Sequence, residues 1–579
     1  MEKETTLLDL AIEKNRNISR RSLLKAFGAS LLLAGLPLNL TKVLADEKSQ
    51  LGAGVSPDHV MLTWDMDPRT TQTIAWRTDS DPVSGFIQWV KTDVFGKSAW
   101  NGAGTTAAST DQLNTDLGDM TIHFTTLTGL NPGTKYTYRV GDGENWSTPY
   151  DFTTEQSGDK PFEFLVFGDS QSGLANNPEY SPWRTTVHNA SAAHPAAAFF
   201  MVIGDLVEVG QSYEHWNNWY AAAKDVIEKV PLMAVLGNHE TYDVLAENHS
   251  SLPFYFTRQI KLPSNGPEPL KGQAYSFDYG NAHFAVIDSQ EAEEGQYMPD
   301  MLQREAAWLD QDLAAAGQKW KLVFFHKTPY YNKAIRANEK IKAALLPIID
   351  KHHVDLVVNG HDHGYSRTYP LAQDSFVDSP AKGTVYVVAG RSGNKFYTDL
   401  SQKVWDAVFH DPQAEPNYVV IGINGDKLSL KAYTQSRSLI DDYVIDKRDG
   451  TDSPRTVLPE RSNETRLVVW GNMLQTPLIS VSPRKIADAW YIPLQPFFEF
   501  IGGAVESPDA GQMAVSYGKQ KFAFRLNDSQ VLVDQEPTTL RYPVTAAQGA
   551  PMIAAEDMKT LVGFSYNYNA NANMLLLAK

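Results

Sequence analysis

Five apolar runs between Phe164 and His363 constrain the fold of this chain most strongly, because each ends at an Asp, an Asn or a His. A continuous apolar run is typical of a strand buried on both faces of a parallel sheet. The Gly or Asn that often follows permits a sharp turn, so the next side chains lie at the carboxyl end of the strand. Open α/β sheets bind ligands at that edge. The five segments are FLVFGDSQ (Phe164–Gln171), FFMVIGDLVE (Phe199–Glu208), LMAVLGNHE (Leu232–Glu240), KLVFFHKTPYY (Lys321–Tyr331) and VDLVVNGHDHGYSR (Val354–Arg367).

The ends of these segments carry side chains that can bind metal ions. Carboxylate, amide oxygen and imidazole ligands suit ions such as Fe, Mn and Zn. A centre of two ions needs a shared ligand, and we expect it to be Asp205, whose Gly-Asp lies at the central strand end. The ions would be about 3.5–4 Å apart and would clamp phosphate oxygens for in-line displacement. The side chains predicted to converge are Asp169, Asp205, Asn238, His239, His326, His361 and His363.

The 579 residues are too many for one domain, and the patterning predicts a multidomain chain. Short alternating runs separated by turns predict a β-sandwich at residues 57–155. From residue 161 to residue 447, strands alternate with helical stretches such as Gln303–Ala315, which predicts a layered α/β domain. The polar residues 448–465 are typical of a linker. Residues 466–579 contain a weak repeat, a short helix ending at Gly and then a strand, and are expected to form a small α+β repeat module.

Charge and composition exclude several classes of function. The net charge of −17 argues against a nucleic-acid groove or an anionic membrane surface as the main partner. An acidic protein that handles phosphate needs a local positive centre, which metal ions would supply. The sequence contains no cysteine, which excludes disulfides, thiolate metal sites, cysteine nucleophiles and a lipoprotein anchor.

Residues 1–45 look like a bacterial twin-arginine signal peptide. The segment Ser19-Arg20-Arg21-Ser22-Leu23-Leu24-Lys25 precedes a mostly apolar run from Ala26 to Leu40, and we expect cleavage after Ala45. The alternative is a chance Arg pair ahead of a membrane anchor, but the run is short for a span. We therefore expect export to the periplasm, the cell surface or the medium, with no other segment able to cross a bilayer.

The motifs resemble those of a known family. Gly168-Asp169, Gly204-Asp205, Gly237-Asn238-His239-Glu240, His326 and Gly360-His361-Asp362-His363 look like the signature of calcineurin-like metallophosphoesterases. The preceding sandwich and the continuation through Tyr365 and Arg367 point to the purple acid phosphatase branch. This resemblance covers roughly residues 57–447.

The two flanking regions also resemble known modules. The stretch Leu130–Val140, with its Pro-Gly turn before a Tyr-rich strand, is similar to a corner of fibronectin type III domains. Residues 466–579 resemble the N-terminal module of copper amine oxidases. They contain no His, so we attach no copper chemistry to them and expect a structural module that could contact the cell wall.

The resemblance implies a ligand set of two metal sites. Asp169, Asp205 and His363 would hold the first ion, and Asp205, Asn238, His326 and His361 would hold the second. His239 would not bind metal; together with Asp205 it is a candidate catalytic residue, protonating the leaving oxygen or neutralising phosphoryl charge. Asp362 and Glu240 would support the ligands.

The sequence departs from the family pattern at three places. Glu208 stands where purple acid phosphatases have the Tyr that binds iron and gives the colour, so we expect no purple colour. Gln171 stands where many members have a His ligand, and its amide oxygen is a further candidate ligand for the first ion. Tyr330, Tyr331 and Asn332 replace the histidines of plant-type enzymes. Substrate contacts are therefore open, with Tyr365, Arg367 and Arg391 as candidates.

The resemblance implies an exported hydrolase of phosphate monoesters that uses two ions of Fe, Mn or Zn and a hydroxide bridging them. Its partner would be a small phosphate ester. The same residues are compatible with a phosphodiesterase. An interpretation of another class is a cell-surface binding protein whose central site is vestigial. Metal content and assays on both ester types distinguish the three.

Overall fold

A computed structural model describes residues 52–579, apart from residues 81–83, 244, 245, 337, 454, 456, 475–478, 480 and 508–510. The twin-arginine segment predicted at residues 1–45 lies outside the described residues. Among the described residues, no helix is long and apolar enough to span a membrane. The architecture is a β-sandwich, then two large facing sheets with helices, then a region of small sheets, which confirms the predicted multidomain fold class.

The N-terminal domain is a sandwich of two antiparallel four-stranded sheets, with the strand orders β1-β2-β6-β5 and β4-β3-β7-β8. Trp76 and Tyr138, one from each sheet, are buried between them. Gly133 turns the chain at a φ of +61°, and the Tyr136 hydroxyl accepts a hydrogen bond of 2.9 Å from the Asn131 amide. The elements are β1 (Asp58–Thr63), β2 (Gln72–Asp79), β3 (Phe86–Lys91), α1 (Thr92–Ser98), β4 (Gly104–Ala107), β5 (Ser109–Thr115), β6 (Gly118–Leu127), β7 (Lys135–Gly141) and β8 (Tyr150–Thr153).

The central domain contains two seven-stranded mixed sheets, with the orders β11-β10-β9-β23-β24-β25-β26 and β14-β15-β16-β17-β21-β18-β22. The first group of strands is β9 (Phe162–Phe167), β10 (Phe200–Ile203), β11 (Leu232–Val235), β23 (Asn417–Asn424), β24 (Lys427–Thr434), β25 (Leu439–Asp446) and β26 (Thr451–Ser453). The second group is β14 (Tyr275–Tyr279), β15 (Ala282–Val286), β16 (Trp320–Lys327), β17 (Leu356–Gly360), β18 (Tyr365–Thr368), β21 (Val385–Ala389) and β22 (Asp406–His410). Short strands outside these sheets are β12 (Tyr242–Asp243), β13 (Ala246–Ser250), β19 (Leu371–Ala372) and β20 (Ser375–Phe376).

The strands that lead to the motifs run parallel, as the continuous apolar runs predict. β10 pairs in parallel with both β9 and β11, and β16 pairs in parallel with both β15 and β17. The carboxyl ends of β9, β10 and β11 therefore lie together, and those of β16 and β17 lie together. β26 continues the first sheet into the segment predicted as a linker.

The two sheets pack face to face, and helices cover their outer faces. Alternate residues of a strand point to opposite faces, so Phe164 contacts Phe284 of the second sheet at 5.4 Å between ring centroids, whereas Phe167 contacts Trp183 of a helix at 5.1 Å. Both faces of these strands are buried, which explains the continuous apolar runs. The helices are α2 (Ser181–Ala193), α3 (Tyr213–Ala223), α4 (Phe254–Gln259), α5 (Glu291–Glu294), α6 (Met301–Ala315) and α7 (Glu339–Lys351).

The C-terminal region contains two copies of a strand, helix and hairpin unit. In the second copy Gly563 follows the helix at a φ of +80°, which favours Gly because it lacks a Cβ. The equivalent residues Ile492 and Ile553 are register partners, so the copies pair through their first strands. The elements are β27 (Arg466–Val469), β28 (Asn472–Met473), β29 (Arg484–Ile486), β30 (Ala489–Pro493), α8 (Leu494–Phe500), β31 (Ala504–Glu506), β32 (Gln512–Tyr517), β33 (Gln520–Arg525), β34 (Gln530–Val533), β35 (Glu536–Thr539), β36 (Thr545–Ala547), β37 (Ala550–Ala554), α9 (Asp557–Val562), β38 (Ser565–Asn569) and β39 (Met574–Ala578).

Candidate metal centre

The predicted ligands come from both sheets and meet where the sheets face each other. Asp169, Asp205 and Asn238 follow β9, β10 and β11 of the first sheet. His326 has the same parity as Leu322 and Phe324, whose side chains belong to the core between the sheets. Its Nδ1 accordingly lies 2.7 Å from the carbonyl oxygen of Ile203 on the facing sheet. His361 and His363 follow β17 of the second sheet.

One set of possible ligand atoms belongs to Asp205, His326 and His361, whose atoms all lie within 4.8 Å of one another. His326 Nε2 is 3.2 Å from Asp205 Oδ2 and 3.2 Å from His361 Nδ1. Asn238 Oδ1 is also 3.2 Å from His326 Nε2. The structure thus brings together the four residues predicted for the second ion.

The other set belongs to Asp169, Asp205 and His363, again within 4.8 Å. His363 Nε2 lies 3.3 Å from Asp169 Oδ1. Both carboxylates are buried, with 1% of Asp169 and 2% of Asp205 exposed. Asp205 belongs to both sets, as a bridging ligand would. The assignment of these residues as ligands stays a prediction.

The donor atoms fit cations. The Nδ1 of His326 points at a carbonyl oxygen and must carry the proton, so in the neutral ring Nε2 offers a lone pair. That lone pair faces a carboxylate oxygen and an amide oxygen, neither of which donates, and lies 3.2 Å from the Nδ1 of His361. Both ring nitrogens of His363 are buried without a well-directed hydrogen bond among the described residues. A positive ion would satisfy all of these atoms.

The pKa shifts agree with this arrangement. Burial lowers the pKa of His326, but Asp205 and Asp169 outweigh it and raise that pKa to about 9. Burial would raise the pKa of Asp205, but His326 and His239 hold it well below its usual value. Burial keeps the pKa of His361 well below its usual value. Asp205 is therefore anionic, and positive charge is favoured beside it.

The backbone is strained at three of the predicted ligands. Asp205, His361 and His363 have φ angles of +51°, +73° and +59°, a left-handed region that is uncommon for residues with a Cβ. Such conformations cost of order 1–3 kcal/mol each and cluster at functional sites. Gly237 permits the close packing beside Asp205, because a Cβ there would lie 2.1 Å from the Asp205 nitrogen.

Glu240 supports the ligand-bearing turns. Its Oε2 accepts hydrogen bonds from the backbone amides of Asp205 (2.9 Å) and Gly237 (2.8 Å), and its Oε1 accepts one from Val207 (3.1 Å). The side chain is fully buried. Burial and the Asp205 carboxylate raise the pKa of Glu240 to about 8. Glu240 thus fixes the segments that carry Asp205 and Asn238.

Asp362 supports the ligands of the second sheet. It lies between His361 and His363 and is fully buried. Arg336 donates from Nε to Asp362 Oδ1 at 2.6 Å and from a terminal nitrogen to the His361 carbonyl at 2.7 Å. The ring of Tyr397 stacks on His363 at 4.3 Å between centroids. These contacts hold the two imidazoles in place.

His239 lies beside Asp205 but makes different contacts. Its Nδ1 is 2.7 Å from the Glu208 carbonyl oxygen and therefore donates to it. Its Nε2 is 2.9 Å from Lys395 Nζ and 3.9 Å from Asp205 Oδ2. The ring is thus at the edge of the centre, where it could reach a bound substrate.

Lys395, like Arg336 and Tyr397, belongs to this cluster although no sequence motif indicates it. Its Nζ is 3.0 Å from Glu208 Oε1. Glu208 is the residue that stands at the position of the family's iron-binding Tyr. The orientation of the Gln171 amide follows from its hydrogen bonds. Its nitrogen donates to Asp205 Oδ2 and its oxygen accepts from Lys395 Nζ, both at 3.0 Å. Lys395 lies six residues after the apolar run 385–389. The same run makes Arg391 a candidate substrate contact.

The three residues that are candidate substrate contacts all donate hydrogen bonds to other groups of the protein. The Tyr365 hydroxyl and Arg367 Nε each donate to Asp441 Oδ2 at 2.7 Å. Arg391 donates to the carbonyls of residues 393, 412 and 413 at 2.6, 3.0 and 3.2 Å. The first two bonds join β18 of the second sheet to β25 of the first, and those of Arg391 hold the loop that follows β21. A substrate-binding role for the three residues stays a prediction.

Two family models match consecutive parts of the chain. The model described as purple acid phosphatase, N-terminal domain, matches residues 57–154. The model described as calcineurin-like phosphoesterase matches residues 162–365, which include the predicted ligands. The resemblance found in the motifs is thereby confirmed for these two domains.

The chain is also similar to proteins that are named as acid phosphatases. Purple acid phosphatase 15 of Arabidopsis thaliana is 28% identical over 308 residues, covering 47% of this chain and 54% of that protein, so the chain spans about half its length. Acid phosphatase type 7 of Mus musculus is 26% identical over 388 residues, covering 61% of this chain and 82% of that protein. The solved purple acid phosphatase PPD1 of yellow lupin (Lupinus luteus) seeds shares the fold, with a TM-score of 0.53 and 18% identity over 68% of this chain and 74% of that one.

Proposed function

We propose that this chain, which joins a purple acid phosphatase N-terminal domain to a calcineurin-like phosphoesterase domain, hydrolyses phosphate monoesters outside the cytoplasm with the help of two metal ions. One observation carries the proposal: two sets of possible ligand atoms, from buried residues and the half-buried His361, share the carboxylate of Asp205. A shared carboxylate is what a pair of ions a few ångströms apart requires.

The predicted ligands form two sets, one for each ion, that share Asp205. Asp169, Asp205 and His363 would hold one, and Asp205, Asn238, His326 and His361 would hold the other. Two ions bound there would activate water as the nucleophile and neutralise charge on the phosphate. The ligands are neutral imidazoles and an amide together with two carboxylates, a set that suits Fe, Mn or Zn. The imidazoles, carboxylates and amide come from two sheets, so the folded domain preorganises them.

His239 is the residue we assign to the leaving group. Its Nδ1 is fixed by the Glu208 carbonyl, which leaves Nε2 facing the centre. If Nε2 takes up a proton when substrate replaces Lys395 beside it, it could pass that proton to the ester oxygen as the P–O bond breaks, or neutralise charge on the phosphoryl group. Only 8% of His239 is exposed, so it does not rotate freely in solvent.

Export is the second part of the proposal, and the twin-arginine motif at residues 19–25 supports it. Expression in a bacterium with and without a functional twin-arginine translocase tests it. We expect a processed protein outside the cytoplasm only in the first case. Replacement of Arg20 and Arg21 by Lys should retain the precursor inside. Export that persists in the translocase-deficient strain would contradict this part.

Metal content and ester preference test the catalytic part. We expect two ions per chain by elemental analysis, and hydrolysis of p-nitrophenyl phosphate in preference to its bis ester. Asp205→Asn should lose both ions and the activity, whereas Asp446→Asn, at an ion pair with the exposed Arg448, should keep both. Preference for the bis ester would make the protein a phosphodiesterase. Fewer than one ion per chain, with Asn238→Ala causing no change, would favour the surface binding protein.

A further inference from the structure

The loop that follows β21 is held rigidly against the centre. The Ser392 and Gly393 amides donate to the Asp169 carbonyl at 3.1 and 2.9 Å, and the Asn394 amide donates to the Gln171 carbonyl at 3.1 Å. The Asn394 side chain donates to the Ser172 carbonyl at 2.9 Å. These hydrogen bonds join the loop to the turn that carries Asp169. They therefore fix the position of the backbone at the next residue, Lys395.

Lys395 directs its ammonium group to the first-ion side of the centre. Nζ contacts Glu208 Oε1 (3.0 Å), His239 Nε2 (2.9 Å) and the Gln171 amide oxygen (3.0 Å). Two of these partners lie beside the shared carboxylate: the Gln171 amide nitrogen is 3.0 Å and His239 Nε2 is 3.9 Å from Asp205 Oδ2. The lysine is therefore one side chain away from the carboxylate shared by both ligand sets.

The contacts of Lys395 leave it able to bind a further anion. An ammonium group has three donors and no acceptor. One donor is used by Glu208, whose other oxygen accepts from the Gly173 amide at 2.8 Å. The other two donors face neutral groups, an imidazole nitrogen and an amide oxygen, which a phosphate oxygen could replace with a stronger, charge-assisted bond. The side chain of Lys395 is 21% exposed, so the site is open to a ligand from solvent.

We propose that Lys395 is a substrate-contact residue that selects phosphate monoesters by binding a terminal phosphate oxygen beside His239. This inference rests on the function proposed above and names the basis of its ester preference. A monoester carries close to two negative charges at neutral pH, because its second pKa is about 6. A diester carries one. An additional fixed cation therefore favours the monoester over the diester.

The test compares both esters in variants of the full-length, metal-loaded protein. Lys395→Met should lower kcat/KM for p-nitrophenyl phosphate by about 100-fold, the scale expected for loss of a fixed donor to transition-state charge. For bis(p-nitrophenyl) phosphate the loss should stay within about threefold. Lys447→Met is the matched control, because Lys447 is also partly buried (29% exposed) and pairs with Asp355 at 2.7 Å. It should change neither rate, and both variants should keep the wild-type metal content. Equal losses on the two esters would overturn the inference.

A double variant separates substrate contact from a merely structural role. Lys395→Met leaves the Glu208 carboxylate without its cation, which could itself disturb the site. Glu208→Gln removes that charge. If Lys395 binds substrate, the combination of Glu208→Gln with Lys395→Met stays about as slow on the monoester as Lys395→Met alone. If the double variant regains wild-type activity, Lys395 serves only to neutralise Glu208, and the inference fails.

Binding of inorganic phosphate gives a readout that does not depend on turnover. Titration calorimetry on the metal-loaded protein should show phosphate binding that is at least about tenfold weaker in Lys395→Met, the scale of one lost charge-assisted bond. Unchanged phosphate affinity would overturn the inference. A wild-type protein that binds two ions and phosphate but hydrolyses neither ester would refute the proposed function while leaving the role of Lys395 in binding intact.

Discussion

Replacement of Glu240 tests how the ligand-bearing turns are held. Glu240→Ala removes the acceptor of three buried amides, those of Asp205, Val207 and Gly237. A buried donor without a partner costs about 1–3 kcal/mol, so the three together cost about 3–9 kcal/mol if nothing moves. The turns can relieve this cost only by moving, and movement would displace Asp205 and Asn238. Since 1.4 kcal/mol is a factor of ten in affinity, even the lower figure predicts metal binding weaker by about 100-fold.

Competition with a chelator of known affinity, followed by elemental analysis, measures this change. Glu305→Ala is the matched control, because Glu305 is also fully buried and accepts one backbone amide, that of Asp288, at 2.7 Å. It should lower the thermal midpoint without changing the metal content. If Glu240→Ala bound two ions with wild-type affinity, Glu240 would not position the ligands. If Glu305→Ala lost its ions as well, the loss would reflect general unfolding.

Three further predictions follow from other parts of the structure. Burial lowers the pKa of His283, but the hydrogen bonds to Asp278 and Asp312 outweigh burial and raise this pKa to about 9. The protonated His283 therefore stabilises the folded protein below pH 6.5, and this stabilisation is lost as the pH rises through 9. His283→Asn should lower the thermal midpoint at pH 6 but not at pH 10; equal losses at both would contradict this. Trp405→Ala should destabilise the protein by about 3–5 kcal/mol and speed proteolytic release of residues 466–579, because Trp405 packs beneath Gly471; unchanged proteolysis would contradict the contact. Iron-loaded protein should lack a visible absorption band, since Glu208 replaces the chromophoric Tyr; a purple product would mean that another phenol binds iron.

The sequence predicted the strands and their polar ends because burial on both faces leaves a continuous apolar run. It could not predict that two sheets face each other, since β10 and β16 have the same pattern although they belong to different sheets. The alternation along β16, with Phe324 in the core between the sheets and Phe325 against the outer helices, becomes visible only when both partners are known. That the predicted ligands come from two different sheets therefore depends on how the sheets pack, which the sequence pattern does not reveal.

Long-range polar contacts were also beyond the sequence. Arg367 and Tyr365 bind Asp441, more than 70 residues away, and no local pattern marks Asp441 as their partner. Lys395 was missed because a single Lys in a polar loop is usually solvated. Its role depends on the hydrogen bonds that fasten the loop to the Asp169 turn, and such bonds leave no periodic signal. The motifs thus predicted residues that the fold brings together, but not the other residues around them.

The cations beside the centre also explain how an acidic protein could attract an anionic substrate. The net charge of −17 would repel phosphate at long range, but at physiological ionic strength the field of exposed charges decays over about 8 Å. A substrate near the centre would therefore respond mainly to the charged groups around it, among them Lys333, Lys395 with its partner Glu208, and any bound ions. Lys333 lies 3.9 Å from the ring centre of Tyr397, which itself stacks on His363, so positive charge extends from the ligands outward. If the proposed function is right, local charge and not net charge would decide which esters approach the centre.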